Sequence, residues 1–165
     1  LYDIFSMSDR EKADKYGNLI VENFPDSVYA KQIRGVSLCR QGRCGEALDD
    51  LIQADKELRN LSTLAYLGYA YADHDRYEEA TRCFDIILAQ KYRIRALTDL
   101  TMYVGVVSYV NMGRYAEANQ LYGNFVSEIS KGERSKNIDK AAAILDGVAK
   151  EQAEGFQGSQ DVLGQ

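Results

Sequence analysis

The chain has 165 residues, of which 45% are hydrophobic, so it is long enough for one domain with an apolar core. Its net charge of −5 disfavours nucleic acid as a partner, because binding to a phosphate backbone requires clustered cations. Its longest apolar stretch, 101–110, is far shorter than the roughly 20 residues of a membrane-spanning helix, so we expect no direct membrane insertion.

A six-residue motif recurs four times and sets the organisation of the chain. It stands at 8–13 (SDREKA), 42–47 (GRCGEA), 75–80 (DRYEEA) and 113–118 (GRYAEA), with steps of 34, 33 and 38 residues between the closing alanines. A period in this range is typical of one supersecondary unit stacked on copies of itself, because a single unit cannot cover its own apolar face.

The predicted elements, in chain order, are all helices. Residues 1–25 form the second half of a repeat, which ends at Pro25. Three helix pairs follow, at 26–41 and 44–58, at 61–73 and 76–89, and at 96–112 and 115–130, within repeats that span 26–59, 60–94 and 95–131. A strand is the alternative for the β-branched stretch 101–110, but its place in the repeat favours a helix.

A last helix is predicted at 136–151, where charged residues surround an apolar stripe. The stripe consists of Ile138, Ala141, Ala142, Leu145 and Val148. We interpret this helix as a cap that covers the end of the stack, so the repeat domain extends over 1–152. Residues 153–165 are rich in Gly and Gln and lack periodicity, so we expect a disordered tail there.

The second helix pair carries a pattern of large and small residues. It consists of Leu64, Leu67, Gly68, Tyr71, Ala80 and Phe84, and it resembles the pattern of the tetratricopeptide repeat family. The third pair offers Ala118 and Tyr122, with Val106 in the small-residue position and Gly105 displaced by one. The resemblance implies an all-α fold, an α-solenoid of helical hairpins, and a non-catalytic protein–protein interaction module such as an adaptor, scaffold or chaperone.

In such a stack the first helix of each pair lines a concave groove, which is the candidate partner-binding site. The predicted groove residues are Tyr29, Gln32, Val36, Arg40, Tyr66, Tyr69, Tyr103, Val107 and Asn111. Because this face is largely aromatic and aliphatic, we expect an apolar or amphipathic peptide or helix of a partner protein. The alternative is that these side chains fill a narrow superhelix or meet the capping helix. The cationic clamp of family members that bind chaperone tails is missing, which disfavours a highly acidic ligand.

We expect no catalytic residue, metal site or cofactor. The single histidine, His74, lies between two aspartates in a turn, where such residues commonly cap helices. The three cysteines are Cys39, Cys44 and Cys83, whose odd number and spacing indicate neither a zinc site nor a complete disulfide framework, and we interpret them as unpaired. The basic cluster of Lys91, Arg93 and Arg95 is interpreted as a solvated linker.

A second hypothesis is a structural subunit that self-associates, or assembles into a larger complex, through an exposed repeat edge at 7–25. A homo-oligomer is therefore also possible. The sequence leaves the compartment open. Unpaired thiols weakly favour the cytoplasm, whereas the stretch 23–30 (NFPDSVYA) resembles a junction found in tetratricopeptide proteins of the bacterial cell envelope, on its periplasmic side.

Overall fold

The computed structural model describes residues 10–90, 97–128 and 135–163, with side chains for 15–90, 97–128 and 135–154. The described residues form an all-helical fold, which confirms the all-α part of the prediction. The helices are α1 (Arg10–Asn23), α2 (Val28–Arg40), α3 (Leu48–Leu58), α4 (Leu61–Asp73), α5 (Tyr77–Leu88), α6 (Asp99–Asn111), α7 (Tyr115–Glu128) and α8 (Lys136–Leu163). A 3₁₀ turn at Cys44–Ala47 precedes α3. Within the described ranges, no helix combines the length and the apolar character that a bilayer crossing requires.

The C-terminal helix is longer than predicted. It continues past the expected end at residue 151 as far as Leu163, so the backbone of 153–163 is helical where we expected a disordered tail. The sequence after 151 contains no proline, and its Gln, Ala and Glu residues are good helix formers, while each glycine costs only about 1 kcal/mol. The β-branched stretch 101–110 lies inside α6, so the strand alternative is wrong.

The recurring sequence motif corresponds to a recurring turn at the end of the first helix of each pair. One residue has a left-handed backbone in each turn: Gly42 (φ 75°), Asp75 (φ 56°) and Gly113 (φ 68°). The next N–H then donates to a carbonyl of the preceding helix: Arg43 to Leu38 (2.9 Å), Arg76 to Tyr71 (3.0 Å) and Arg114 to Tyr109 (2.8 Å). Glycine adopts this conformation without steric cost, which explains its place in two of the turns.

In the last three of the four motifs, the arginine pairs with the glutamate three residues later. The pairs are Arg43–Glu46, Arg76–Glu79 and Arg114–Glu117. Hydrogen bonds from the arginines lower the pKa of all three glutamates. Because these side chains are all at least partly exposed to solvent, the pairs add little to stability, but they account for the arginine and glutamate of the sequence motif.

Each helix pair packs closely where a glycine of the first helix meets a large residue of the second. A Cβ atom on Gly35 would lie 2.7 Å from Leu51 Cδ2, one on Gly68 would lie 3.0 Å from Phe84 Cε2, and one on Gly105 would lie 2.5 Å from Leu121 Cδ2. The sequence separation is the same in all three pairs. Gly105 is displaced by one residue relative to the motif alanine, as expected, but Val106 does not take the small-residue position, because Gly105 and Leu121, not Val106 and Tyr122, form the close contact of the third pair.

Contacts between the pairs join neighbouring helices. The described part of α4 contacts α2, α3, α5 and α6, and α6 contacts α4, α5, α7 and α8. Phe84, which is fully buried, touches the positions of both Gly68 and Gly105 and so connects the second pair to the third. Helix α8 packs on α6 and α7, where Ile138, Ala141 and Leu145 of its predicted stripe are buried.

Candidate partner-binding surface

The residues predicted on α2 differ in their exposure. Tyr29 exposes 56% of its surface, and Arg40 is also exposed, whereas Val36 is buried in the core. Gln32 is half-buried, and its Nε2 donates to Oγ1 of Thr63 at 2.7 Å. This hydrogen bond attaches α2 to the start of α4, so Gln32 orients the two helices relative to each other. Of the four residues, Tyr29 and Arg40 are the exposed ones.

The two tyrosines predicted on α4 have different environments. Tyr66 exposes 4% of its surface and belongs to the hydrophobic core, so its ring is not open to a partner. Tyr69 is half-buried, and burial, followed by the nearby charge of Asp73, raises the pKa of its hydroxyl. Tyr69 therefore presents a neutral donor and a partly exposed ring, which suits contact with an amphipathic partner.

Of the three residues predicted on α6, Tyr103 contacts the capping helix. Tyr103 is half-buried, and the ammonium group of Lys140 on α8 lies 5.7 Å from the centre of its ring, within the range of a cation–π interaction. Val107 is half-buried, and Asn111 is exposed with its Nδ2 donating to the Val107 carbonyl at 2.9 Å. The contact from α8 agrees in part with the alternative that the predicted groove residues meet the capping helix.

The exposed members of the predicted set lie on neighbouring helices. Helix α4 contacts both α2 and α6, so the helices that carry Tyr29, Tyr69 and Tyr103 are adjacent. We call the set of Tyr29, Arg40, Tyr69, Tyr103, Val107 and Asn111 the tyrosine face. Helical periodicity in the sequence identifies the helices that carry this face. The burial of Val36 and Tyr66 depends on the distance between neighbouring helices, which a single sequence does not specify.

The polar residues of the second turn have a structural role that the sequence did not indicate. Asp73 Oδ2 accepts a hydrogen bond from the Gly45 N–H at 2.7 Å, and His74 Nε2 donates to the Gly45 carbonyl at 3.0 Å. The turn after α4 thus binds both backbone polar groups of Gly45, in the turn after α2. A Cβ atom on Gly45 would lie 3.0 Å from Asp73 Oδ2, so the close approach favours glycine.

Two of the cysteines are paired, which corrects the interpretation that all three are unpaired. A disulfide joins Cys39, in the last turn of α2, to Cys44, the first residue of the 3₁₀ turn. The tight turn returns the chain to the end of α2, and both cysteines are fully buried. Cys83 is a buried free thiol, whose pKa is raised to about 12 by burial and by the charges of Asp55 and Glu79. The argument from unpaired thiols for the cytoplasm therefore no longer applies to Cys39 and Cys44.

A polar cluster connects the second helix pair to the third. Both Nη atoms of Arg114 bond the Asp85 carboxylate, at 2.9 and 2.8 Å, and the Tyr109 hydroxyl donates to the same carboxylate at 2.8 Å. Partial burial alone would raise the pKa of Asp85, but the hydrogen bonds from Arg114 and Tyr109 outweigh it and lower this pKa. The charged form of Asp85 therefore holds the two pairs together.

This cluster makes part of the stability dependent on pH. Because the pKa of Asp85 is lower in the folded chain than its ordinary value of 3.8, its contribution is complete at neutral pH and is lost as the pH falls below about 4. We expect Asp85→Asn to lower the free energy of unfolding by about 1 kcal/mol at pH 7, a figure already reduced for partial exposure, and by less at pH 3.

Urea denaturation at both pH values measures this difference. Asp49→Asn is the matched control, because Asp49 is an exposed acid on helix α3, and its effect is expected to stay within about 0.5 kcal/mol. A loss for Asp85→Asn that is the same at pH 3 as at pH 7 would contradict a role for the charged carboxylate.

In the described part of the chain, no group of three or more His, Cys, Asp or Glu side chains is arranged to hold a metal ion. No protein-family model matches the sequence, and neither a curated protein nor a solved structure shows significant similarity to it. Conclusions about function therefore depend on the residues and contacts described above.

Proposed function

We propose that this chain is a non-catalytic protein–protein interaction module of the tetratricopeptide type, in which stacked helical hairpins form an α-solenoid. Three repeated features support the proposal: the left-handed turn before each motif arginine, the glycine that faces a large residue in each pair, and the contacts between successive pairs. Such units cover each other's apolar faces and leave one surface of the first helices for a partner.

The tyrosine face is the proposed binding site, and its partner is an apolar or amphipathic segment of another protein. The observation that carries this proposal is the adjacency of three helices that each present an aromatic ring which is at least partly exposed, namely Tyr29, Tyr69 and Tyr103. Tyrosine contributes a large apolar area with a polar end at a low entropic cost, which makes it common at binding sites.

The proposed site omits two of the predicted groove residues. Val36 and Tyr66 are buried, so we assign them to the support of the surface and not to direct contact. Replacing Tyr66 would remove core volume and lower stability, so a loss of binding in that variant would be ambiguous. Tyr29 and Tyr69 are better probes because their rings are partly in solvent.

Binding of a selected peptide tests this proposal. Peptides are selected on the folded chain from a displayed library, and their affinities for variants are measured by fluorescence anisotropy. We expect Tyr29→Ala and Tyr69→Ala each to weaken binding about tenfold, because aromatic residues dominate such interfaces. Tyr16→Ala is the matched control, since Tyr16 on α1 exposes 53% of its surface, close to the 56% of Tyr29. Equal affinities for all three variants would contradict the proposed site.

Self-association is the second candidate, and the first helix gives the observation that favours it. Leu19, at 44%, and Phe24, at 65%, are large apolar residues exposed at this edge of the fold. Exposed apolar clusters commonly mark contact sites between proteins. Sedimentation velocity on the same samples separates the candidates: a concentration-dependent dimer that Phe24→Asp dissociates would favour the structural subunit.

The disulfide bears on the compartment. Because disulfides persist in oxidising environments, the Cys39–Cys44 pair favours the cell-envelope alternative over the cytoplasm. This choice is part of the proposal, as is the absence of catalysis.

A further inference from the structure

A cavity of about 490 Å³ lies between the end of α3, the start of α4 and the end of α5. Its apolar part is lined by Leu61 and Leu64, which are buried, and by Ile86, which exposes 51% of its surface. The volume falls within the range of roughly 300–1,000 Å³ that is usual for small-ligand sites. The cavity shares no residue with the tyrosine face.

Two cations line the same cavity without a carboxylate bonded to them. The side chains of Lys56 and Arg59 form no hydrogen bond or ion pair with the described part of the chain, and the Asp55 carboxylate affects the Arg59 side chain through its charge alone. Arginines elsewhere in the fold pair with acids, as Arg34, Arg43, Arg76, Arg82 and Arg114 do. The cavity therefore combines an apolar wall with a net positive charge, which complements an apolar group that carries a carboxylate.

Amide side chains at the rim indicate which kind of carboxylate fits best. The side-chain oxygen of Asn60 accepts from the Thr63 N–H at 2.8 Å, which leaves the Asn60 NH₂ group to donate to a ligand. Gln90 adds a second amide to the lining. A peptide backbone has carbonyl and N–H groups to match these amides and the Asp55 carboxylate, whereas the alkyl chain of a fatty acid would leave them without partners.

We propose that this cavity binds the C-terminal residue of a partner polypeptide, with its carboxylate on Lys56 and Arg59 and an apolar side chain against Leu61, Leu64 and Ile86. This site is additional to the tyrosine face. It recognises the C-terminal end of a chain, whereas the tyrosine face recognises an apolar surface.

The test compares a peptide acid with the corresponding amide on the full chain. The probe is a fluorescein-labelled pentapeptide that ends in two leucines, with either a free carboxylate or a C-terminal amide. We expect the acid to bind at least about tenfold more tightly, because a charged hydrogen-bonded pair is lost in the amide. High salt is expected to weaken binding of the peptide acid and to leave the affinity of the amide nearly unchanged.

Variants of the lining test the location. Arg59→Gln removes one cation, and Ile86→Glu places a charge against the apolar side chain of the bound residue, so each is expected to weaken binding of the acid about tenfold. Ile86 is half in solvent, so its replacement tests the site even if Arg59→Gln is destabilised by its left-handed backbone, at φ 46°. Arg82→Gln, which removes a cation elsewhere on α5, is the control, and it is expected to bind the peptide acid with the affinity of the unchanged chain.

Three outcomes would overturn this inference. They are equal affinity for acid and amide, full binding by Ile86→Glu, and displacement of the peptide by octanoate at a comparable concentration, which would assign the cavity to free aliphatic acids. Failure here is distinguishable from failure of the tyrosine face, because Tyr29→Ala is expected to bind the peptide acid with unchanged affinity.

Discussion

Replacing Phe84 with alanine is expected to lower the free energy of unfolding by about 3–5 kcal/mol, the largest effect of a single substitution that we predict. The Phe84 side chain is fully buried and meets the backbone of α4 at Gly68 and that of α6 at Gly105. Its ring also lies 6.5 Å from that of Tyr109. The substitution leaves a cavity where three helices meet, and neighbouring side chains held by these contacts can refill it only in part.

Urea denaturation followed by circular dichroism measures this loss. Phe24→Ala makes the same chemical change at a site that is 65% exposed, so its effect is expected to stay within about 0.5 kcal/mol. Because Phe84 joins the second helix pair to the third, the Phe84→Ala transition is also expected to be less cooperative. Similar losses for the two variants would show that Phe84 does not have the central packing role we assign to it.

The sequence predicts the turns and helices well because local chemistry determines them. The predicted range 61–73 agrees with α4, since Asn60 caps its first turn and the left-handed Asp75 follows its end. Ser27 and Thr98 cap α2 and α6 in the same way. The end of α8 is predicted less well, because no proline follows residue 151 and good helix formers continue the helix, while the glycines among them cost little.

The candidate site is predicted only in part, because exposure is a property of the packed fold. Helical spacing places Tyr66 and Tyr69 on one side of α4, yet Tyr66 is buried and Tyr69 is half-exposed. The contact of Lys140 with Tyr103 joins residues far apart in the sequence, and no local pattern indicates it. The Cys39–Cys44 disulfide forms because the turn after α2 brings the two cysteines together. The number and spacing of the cysteines in the sequence do not indicate the shape of that turn.

The third helix pair shows how a shift of one residue escapes sequence comparison. Aligned from its motif alanine, Ala118, this pair places Tyr122 where the second pair has Phe84, and Gly105 then falls one residue early. In the structure the glycine and its large partner have both moved by one, so that Gly105 meets Leu121. The number of residues between the glycine and its large partner is the same in all three pairs, because their packing depends on it. The alignment instead keeps the number of residues from the turn constant.

Alanine substitutions at Gly105 and Gly123 are expected to change stability in opposite directions. A methyl group on Gly105 would lie 2.5 Å from Leu121 Cδ2 and 3.1 Å from Phe84 Cδ1, and both side chains are fully buried and cannot retreat. Overpacking of this kind costs about 1–3 kcal/mol and outweighs the helix propensity that alanine gains, so Gly105→Ala is expected to lose about 1–2 kcal/mol.

Gly123 is the matched site, because it lies inside the neighbouring helix α7 and a Cβ atom there would meet nothing within 4 Å. Alanine at this position adds helix propensity without a clash, so Gly123→Ala is expected to gain about 0.5–1 kcal/mol. Chemical denaturation of the two variants side by side separates backbone propensity from packing, since both make the same change in a helix. A gain at Gly105 equal to that at Gly123 would mean that α6 and α7 lie further apart than the contact with Leu121 requires, and the register we assign to the third pair would then be wrong.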